Sequence, residues 1–216
     1  MKVRLPKAIF VAIAVSTFVL SACSSGSSDS ASPVATTPAA ESAAEVETVG
    51  DYTVGDTGPG GGIVFFDAGS VQPWGRYLEA GPQLDPTEWC GEDWELDIPG
   101  TVTTIGSGAA NTKLMVDACK AGAATSVSEF DGGGMTDWFL PSKDELNELY
   151  EQRDTVGGFG IGNEGSSFDA YWSSTQSDAG TTGFTDVAWT QYFDGGEQQG
   201  NDCKCNLYGI RPVRAF

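Results

Sequence analysis

Histidine is absent from the chain, and basic residues are scarce. None of the 216 residues is histidine, and 11 lysines and arginines face 30 aspartates and glutamates, so the formal net charge is −19. The lack of histidine excludes Ser-His-Asp catalysis, Cys-His catalysis and histidine-ligated zinc. The excess of negative charge opposes binding to nucleic acids and other polyanions. We therefore predict that the protein is not an enzyme and binds no nucleic acid.

The N-terminal apolar run is too short to span a bilayer as a helix. It covers residues 8–20 and follows Lys2, Arg4 and Lys7, whereas a spanning helix needs about 20 apolar residues. A short apolar segment behind a basic N-terminus is typical of a cleavable export signal. We assign residues 1–22 to this signal.

The end of the signal carries a lipid-attachment pattern. Leu20, Ser21 and Ala22 precede Cys23 in an order that resembles the lipobox of bacterial lipoproteins. The resemblance implies that Cys23 carries a diacylglycerol anchor. The protein would then be exported and held on the cell membrane or outer membrane, facing outside the cytoplasm. An ordinary secretory signal, or a short membrane anchor with a chance cysteine, is the alternative.

A tether is predicted between the anchor and one folded domain. Residues 23–48 contain the lipidated cysteine and then mostly Ser, Ala, Thr, Pro and Glu. Such a composition buries too little apolar surface to offset the entropy lost on ordering. The remaining residues, 49–216, are enough for one domain with a hydrophobic core.

Four further cysteines predict two disulfides in an exported protein. Cys90–Cys119 and Cys203–Cys205 is the favoured pairing of the three that four cysteines allow. A crossed pairing is the first alternative. A four-cysteine metal site is the second, although neither pair has the spacing usual for such sites.

Two helices are predicted in the domain. The first covers residues 109–121, with Ala110, Leu114, Met115, Ala118 and Cys119 on one apolar face. The second begins at Ser142, which forms a capping box with Glu145 and precedes an apolar stripe of Leu146, Leu149 and Tyr150.

Short strands fill the rest of the domain. They are predicted at residues 63–66, 76–80, 171–175, 187–193 and 208–214, with the last at an edge or end because Pro212 lacks an N–H group. The glycine run before the first strand suggests a phosphate loop, but a turn is the favoured interpretation because no Gly-Lys-Ser/Thr follows. The Gly-x-Gly-x-x-Gly pattern at residues 160–165 follows no strand, and we interpret it as a coincidence. Residues 82–106, 176–186 and 194–206 are interpreted as loops. Helices followed by such strands indicate an α+β fold with a mostly antiparallel, twisted sheet.

Four segments together resemble a known bacterial domain family. They read GDTGPGGGIVFFDAG (55–69), GGGMTDWFLPSKDELNELY (132–150), AYWSSTQ (170–176) and YGIRPVRAF (208–216). Their order is similar to that in the C-terminal domain family of the Lcl collagen-like adhesin. The resemblance implies a C-type lectin-like fold, with two helices and paired chain ends, and an adhesive function. The family's binding of sulfated glycosaminoglycans requires basic residues, and only Lys204, Arg211 and Arg214 lie near the C-terminal end of this domain.

The ligand site is predicted around the late strands. Core packing is the favoured role of Trp138 and Trp172, whereas Trp189 lies between two acidic loops. The candidate ligand-binding residues are Asp186, Trp189, Gln191, Tyr192, Asp194, Glu197, Asn201 and Asp202. No cofactor is predicted: solvated loop charge is the favoured interpretation of the carboxylates, and calcium, which their oxygen atoms would suit, is the alternative.

Three functions follow from these observations. The first is a surface-anchored binding module that recognises a glycan or protein ligand. The second is a structural or assembly lipoprotein of the cell envelope, which would lack a groove of aromatic and polar groups near Trp189. The third is a carboxylate-based hydrolase, which would need a buried carboxylate pair in a cleft.

Overall fold

A computed structural model describes residues 50–160, 169–178 and 183–216. The predicted signal (1–22), Cys23, the tether up to residue 48 and most of the 160–165 glycine pattern lie outside the described residues. Within the described parts of the chain, no helix has the length and apolar character needed to cross a membrane.

The described residues form a mixed α+β structure, as predicted. Its strands are β1 (Ile63–Gln72), β2 (Gly75–Ala80), β3 (Leu84–Thr87), β4 (Ala170–Gln176), β5 (Val187–Tyr192), β6 (Gln198–Cys203), β7 (Tyr208–Ile210) and β8 (Val213–Ala215). Its α-helices are α1 (Gly108–Ala118), α2 (Ala123–Ser128), α3 (Lys143–Glu151) and α4 (Arg153–Val156).

The strands form two sheets, and each sheet pairs strands from distant parts of the chain. The smaller sheet has the order β1-β2-β8, so the C-terminal strand pairs with the N-terminal hairpin. The larger sheet has the order β3-β7-β4-β5-β6. Its pairs are antiparallel except for β4 and β7, which are parallel at Tyr171 and Gly209.

Strand β4 separates two hydrophobic clusters. Because successive side chains of a strand point to opposite faces, Tyr171 packs in one cluster with Phe65 and Leu149, while Trp172 packs in the other with Trp89 and Met115. Trp172 is fully buried, which confirms the predicted core position. Trp138 is also a core residue, as predicted.

Several predicted element boundaries are wrong. Two helices were expected, and the described residues contain four. Residues 82–106 and 194–206 were expected to be loops, but they contain β3 and β6. The expected single strand at 208–214 is two strands, β7 in the larger sheet and β8 in the smaller one, and Pro212, which has no N–H to donate, lies between them.

The two long helices differ in how well the sequence predicts their buried faces. Helix α3 begins after Ser142 with both hydrogen bonds of the capping box, and it buries Leu146 and Leu149 as expected. Helix α1 instead buries Asn111, Thr112 and Met115, whereas Leu114 is exposed. The expected stripe of Ala110, Leu114, Met115, Ala118 and Cys119 is therefore wrong for Ala110, Leu114 and Ala118.

Hydrogen bonds explain why polar residues of α1 face inward. The Asn111 amide donates to the Val102 carbonyl at 2.7 Å and accepts from the Val102 N–H at 2.8 Å. The Thr112 hydroxyl exchanges hydrogen bonds with the backbone of Leu140. A buried polar group that is hydrogen-bonded in this way avoids the cost of desolvation.

The glycine run before β1 encloses a carboxylate of the protein itself. The N–H groups of Gly60 and Gly62 donate to the Glu79 carboxylate at 2.9 and 3.0 Å. Arg214 donates to the same carboxylate at 3.0 Å, and Glu79 is fully buried. A side chain at Gly60 would meet Glu79 and Trp138 at 2.8 Å, so only glycine allows this close approach.

We expect Glu79→Gln to lower the free energy of unfolding by roughly 3–5 kcal/mol, because Arg214 would lose its buried partner and amide hydrogens would face the Gly60 and Gly62 N–H groups. Asp67→Asn is the matched control, since Asp67 also pairs with an arginine, Arg76, but at the surface. Denaturant unfolding of both variants measures the difference. Equal losses for the two variants would contradict the role assigned to Glu79.

Candidate functional site

A groove of about 340 Å³ lies beside the end of β4 and contains the candidate residue Trp189. Its walls come from three segments: the loop residues 97–101 with Thr103, the strand end 175–178, and Trp189 of β5. The volume is near the lower end of the ~300–1,000 Å³ typical of small-molecule sites. An indole, several hydroxyl groups and two carboxylates, Asp97 and Asp178, line it.

Trp189 is held in place by contacts on its ring. The Lys143 ammonium nitrogen lies 4.8 Å from the ring centroid, in cation–π geometry. The backbone of Gly200 in β6 approaches the ring so closely that a Cβ there would lie 2.8 Å from Cζ2. Half-buried and fixed in this way, the indole forms a rigid wall of the groove.

The loop wall is attached to β4 by side-chain hydrogen bonds. Among the described residues, β4 has no strand partner on the side of β7 beyond Tyr171, and the loop covers that edge. The Gln176 Oε1 accepts from the Ile98 N–H at 2.8 Å, and its Nε2 donates to Asp97 at 2.6 Å. The Thr175 hydroxyl donates to the Val102 carbonyl at 3.0 Å. The polar residues of β4 therefore substitute for a missing strand.

Hydrogen bonds from the Lys204 side chain stabilise this wall. Its side chain is fully buried, and Nζ donates at 2.7 Å to three oxygen atoms: the carbonyls of Leu96 and Thr185 and the side chain of Gln176. Three acceptors match the three hydrogens of an ammonium group. The nitrogen also lies 4.5 Å from the ring centroid of Trp89. Burial lowers the pKa of Lys204 to about 8, while Asp97 and Asp186 oppose that shift.

The candidate residues named from the sequence do not form one site. Of the eight, Trp189 alone is among the groove-lining residues. Asp202 is buried on the opposite face of β5, where it accepts hydrogen bonds from Thr190 and, at 3.1 Å, from Tyr208. Tyr192 also lies there, with its hydroxyl 3.2 Å from that of Tyr208. Burial is the main cause that raises the pKa of Tyr208 above its ordinary value.

The remaining candidates lie around the β5–β6 turn or support the fold. Gln191 is buried and donates to the Gly196 carbonyl at 2.6 Å, within the turn that also contains the exposed Asp194 and Glu197. Asn201 is exposed on β6. Asp186 is half-buried, and its carbonyl accepts from the Lys204 N–H at 2.8 Å.

Several lining residues were missed from the sequence. Residues 97–101 and Thr103 precede helix α1 and are far from Trp189 in the sequence. Only tertiary contacts therefore bring them to the groove. A signal for them exists at the end of β4 and in the residue after it, where residues 173–177 (SSTQS) are polar and yet all buried. A polar run inside a buried strand indicates that side chains bond to neighbouring segments.

No cluster of metal ligands occurs in the described residues. A search of these residues finds no group of three Asp, Glu, Cys or His side chains arranged to hold a metal ion. The cysteines pair as Cys90–Cys119 and Cys203–Cys205, which confirms the favoured pairing.

The basic side chains of the domain are engaged within the protein. All eight lie in the described residues, and each contacts a carboxylate, a backbone carbonyl or an aromatic ring. They are Arg76, Lys113, Lys120, Lys143, Arg153, Lys204, Arg211 and Arg214. Burial lowers the pKa of Arg211 to about 10, and one of its nitrogens donates to the Gly158 carbonyl at 2.8 Å.

Comparison with known proteins finds no family model that matches the chain. A search of curated proteins likewise finds no significant match.

We expect Lys204→Met to lower the free energy of unfolding by about 3 kcal/mol or more, because three oxygen atoms inside the protein, those of Leu96, Thr185 and Gln176, lose a donor and each such loss costs about 1–3 kcal/mol. Lys120→Met is the control, since the Lys120 side chain is 86% exposed and pairs with Asp93 at the surface. Denaturant unfolding at pH 7 measures both. A loss for Lys204→Met no larger than that of the control would contradict the supporting role.

The stability difference between wild type and Lys204→Met should increase from about pH 8 to about pH 10.5. In that window the folded lysine, with its pKa lowered to about 8, releases a proton that the unfolded lysine keeps up to its usual pKa of 10.5. The unfolded state then binds more protons, so rising pH favours the folded wild type. Unfolding curves at four pH values measure this trend, and a constant difference would contradict it.

Proposed function

We propose that the protein is an exported, lipid-anchored binding module that recognises an uncharged glycan in the groove beside Trp189. The observation that carries the proposal is the groove itself, which combines an indole with hydroxyl, amide and carboxylate groups. Sugar rings present apolar C–H faces that pack on aromatic rings and hydroxyl groups that hydrogen-bond to such polar groups.

The charge distribution supports an uncharged ligand. A sulfated polysaccharide needs several accessible lysines and arginines, and in this domain only Lys113 and Lys120 have largely exposed side chains, at 75% and 86%, each paired with an aspartate. The groove also carries the carboxylates of Asp97 and Asp178, which repel sulfate. Sulfated glycosaminoglycan binding, which the family resemblance implies, is therefore disfavoured for this chain.

The shape of the domain supports the lectin-like part of the proposal. The C-terminal strand β8 pairs with β2 of the N-terminal hairpin, which is the pairing of chain ends that a C-type lectin-like fold requires. The groove lies next to a long irregular segment, residues 94–107, which supplies one of its walls. The lipobox resemblance at Cys23 supports the anchor, and the composition of residues 23–48 supports a tether.

The alternative functions have less support. An envelope protein without a small ligand was expected to lack a groove near Trp189, and a groove is present there. A hydrolase was expected to place two buried carboxylates in a cleft. The buried Glu79 and Glu145 instead accept backbone N–H bonds in separate places, Glu145 from Gly106 and Ser142 at 2.7 Å.

We expect an array of neutral and sulfated oligosaccharides to show binding of the full-length chain to neutral members. Trp189→Ala should weaken binding to the best neutral member by roughly tenfold, the equivalent of ~1.4 kcal/mol. Val71→Ala is the control, since Val71 is an exposed apolar residue on the other sheet. Titration calorimetry gives the affinities, and thermal unfolding verifies that both variants are folded.

Two results would contradict this proposal. One is an array without any bound neutral glycan. The other is binding to sulfated members that falls steeply with salt and disappears when Lys113 and Lys120, the most exposed lysines, are replaced by glutamine.

A further inference from the structure

The two disulfides lie in opposite environments. Cys90 and Cys119 are 1% and 6% exposed and belong to the hydrophobic core cluster. Cys205 is exposed and Cys203 is half-buried, at the end of β6. A disulfide is reduced by a thiolate that reaches one of its sulfur atoms, so access decides which bond exchanges.

The disulfides also differ in what they contribute to folding. Cys90–Cys119 joins residues 29 apart, whereas Cys203–Cys205 joins residues 2 apart. In the chain-entropy model, a disulfide stabilises a protein more when it closes a longer loop. The short bridge therefore constrains little of the unfolded chain, and its opening removes little stability.

The turn that carries the short bridge is held by other bonds. Between the two cysteines, the Lys204 N–H donates to the Asp186 carbonyl at 2.8 Å, and the Lys204 carbonyl accepts from the Trp89 N–H at 3.0 Å. The Lys204 side chain adds its three buried hydrogen bonds. These five bonds do not involve sulfur, so the backbone between the cysteines stays in place when the disulfide opens.

One hydrogen bond makes the two sulfur atoms of the short bridge differ as leaving groups. The Cys205 N–H donates to the Cys203 sulfur at 3.3 Å. A hydrogen bond to sulfur stabilises the thiolate form, which makes Cys203 the better leaving group. Cys205 is the more exposed residue of the pair, so it is the one that an incoming thiolate reaches more readily.

We propose that Cys203–Cys205 is a thiol–disulfide exchange site within the folded domain, which an external thiol opens and an external disulfide closes by the reverse exchange. The external thiolate attacks the Cys205 sulfur and forms a mixed disulfide, while the electron pair of the broken S–S bond leaves on Cys203 as a thiolate. A second external thiolate attacks the external sulfur of the mixed disulfide and releases Cys205. Overall, two thiols are oxidised to one disulfide, and the Cys203–Cys205 bond is reduced to two thiols.

Differential alkylation of the full-length chain tests the proposal. The protein is incubated with increasing dithiothreitol under native conditions, the free thiols are alkylated, and each cysteine-containing peptide is quantified by mass spectrometry. Cys203 and Cys205 should become labelled at a dithiothreitol concentration at least tenfold lower than Cys90 and Cys119, with an unchanged circular dichroism spectrum. Opening of both pairs together, or opening that coincides with unfolding, would overturn the proposal.

A second experiment tests the direction of attack and the independence of the fold. With glutathione as the probe, the mixed disulfide should form on Cys205 at least tenfold more often than on Cys203, and a preference for Cys203 would overturn the assigned direction. A reduced two-cysteine peptide in place of glutathione determines whether protein thiols also react.

The variant Cys203→Ser/Cys205→Ser should keep the wild-type circular dichroism spectrum and the same alkylation profile at Cys90 and Cys119. Failure of this variant to fold would contradict the claim that the turn stands without the disulfide.

Discussion

The buried ammonium group of Lys204 is the contact on which the groove depends. It joins the segment at Thr185 and the strand end at Gln176 to the loop at Leu96, which lies 108 residues before Lys204 in the chain. Gln176 connects Lys204 to the loop wall of the groove, because its Oε1 accepts from both the Lys204 Nζ and the Ile98 N–H. Without a regular strand to cover the outer edge of β4, these polar bonds fix the loop that faces Trp189. The groove is thus preformed, and a preformed site orders fewer groups on binding than a flexible one.

The domain uses its few positive charges for its own structure. Lys204 supports the groove, Arg214 neutralises the buried Glu79, and Arg211 lies beneath the ring of Phe159. A buried charge without a partner is costly, so these side chains stay inside. Most acidic residues of the described parts of the chain are not buried, the exceptions being Glu79, Glu145 and Asp202, and an uncharged ligand fits that distribution better than a sulfated one.

Local signals in the sequence predicted the elements that local chemistry determines. The capping box of Ser142 and Glu145 located the start of α3, and the apolar runs located β1, β2, β4 and β5. Strand β6 was missed because its residues, QQGNDC, contain no β-branched or aromatic side chain, and only pairing with β5 orders them. The inward face of α1 was missed because Asn111 and Thr112 are buried through hydrogen bonds to Val102 and Leu140. The groove was missed except for Trp189, since its central contact joins Gln176 to Ile98 across 78 residues.

Native-state hydrogen exchange of the Ile98 amide tests the central claim most directly. If the loop is fixed by Gln176 and Lys204, this amide should exchange only through rare opening, with a rate close to that of the buried amides of β4. In Lys204→Met, the same amide should exchange at least tenfold faster, while the amides of β1 and β2 keep their rates. Fast exchange of Ile98 in the wild type, at the rate of an exposed loop amide, would contradict a preformed groove.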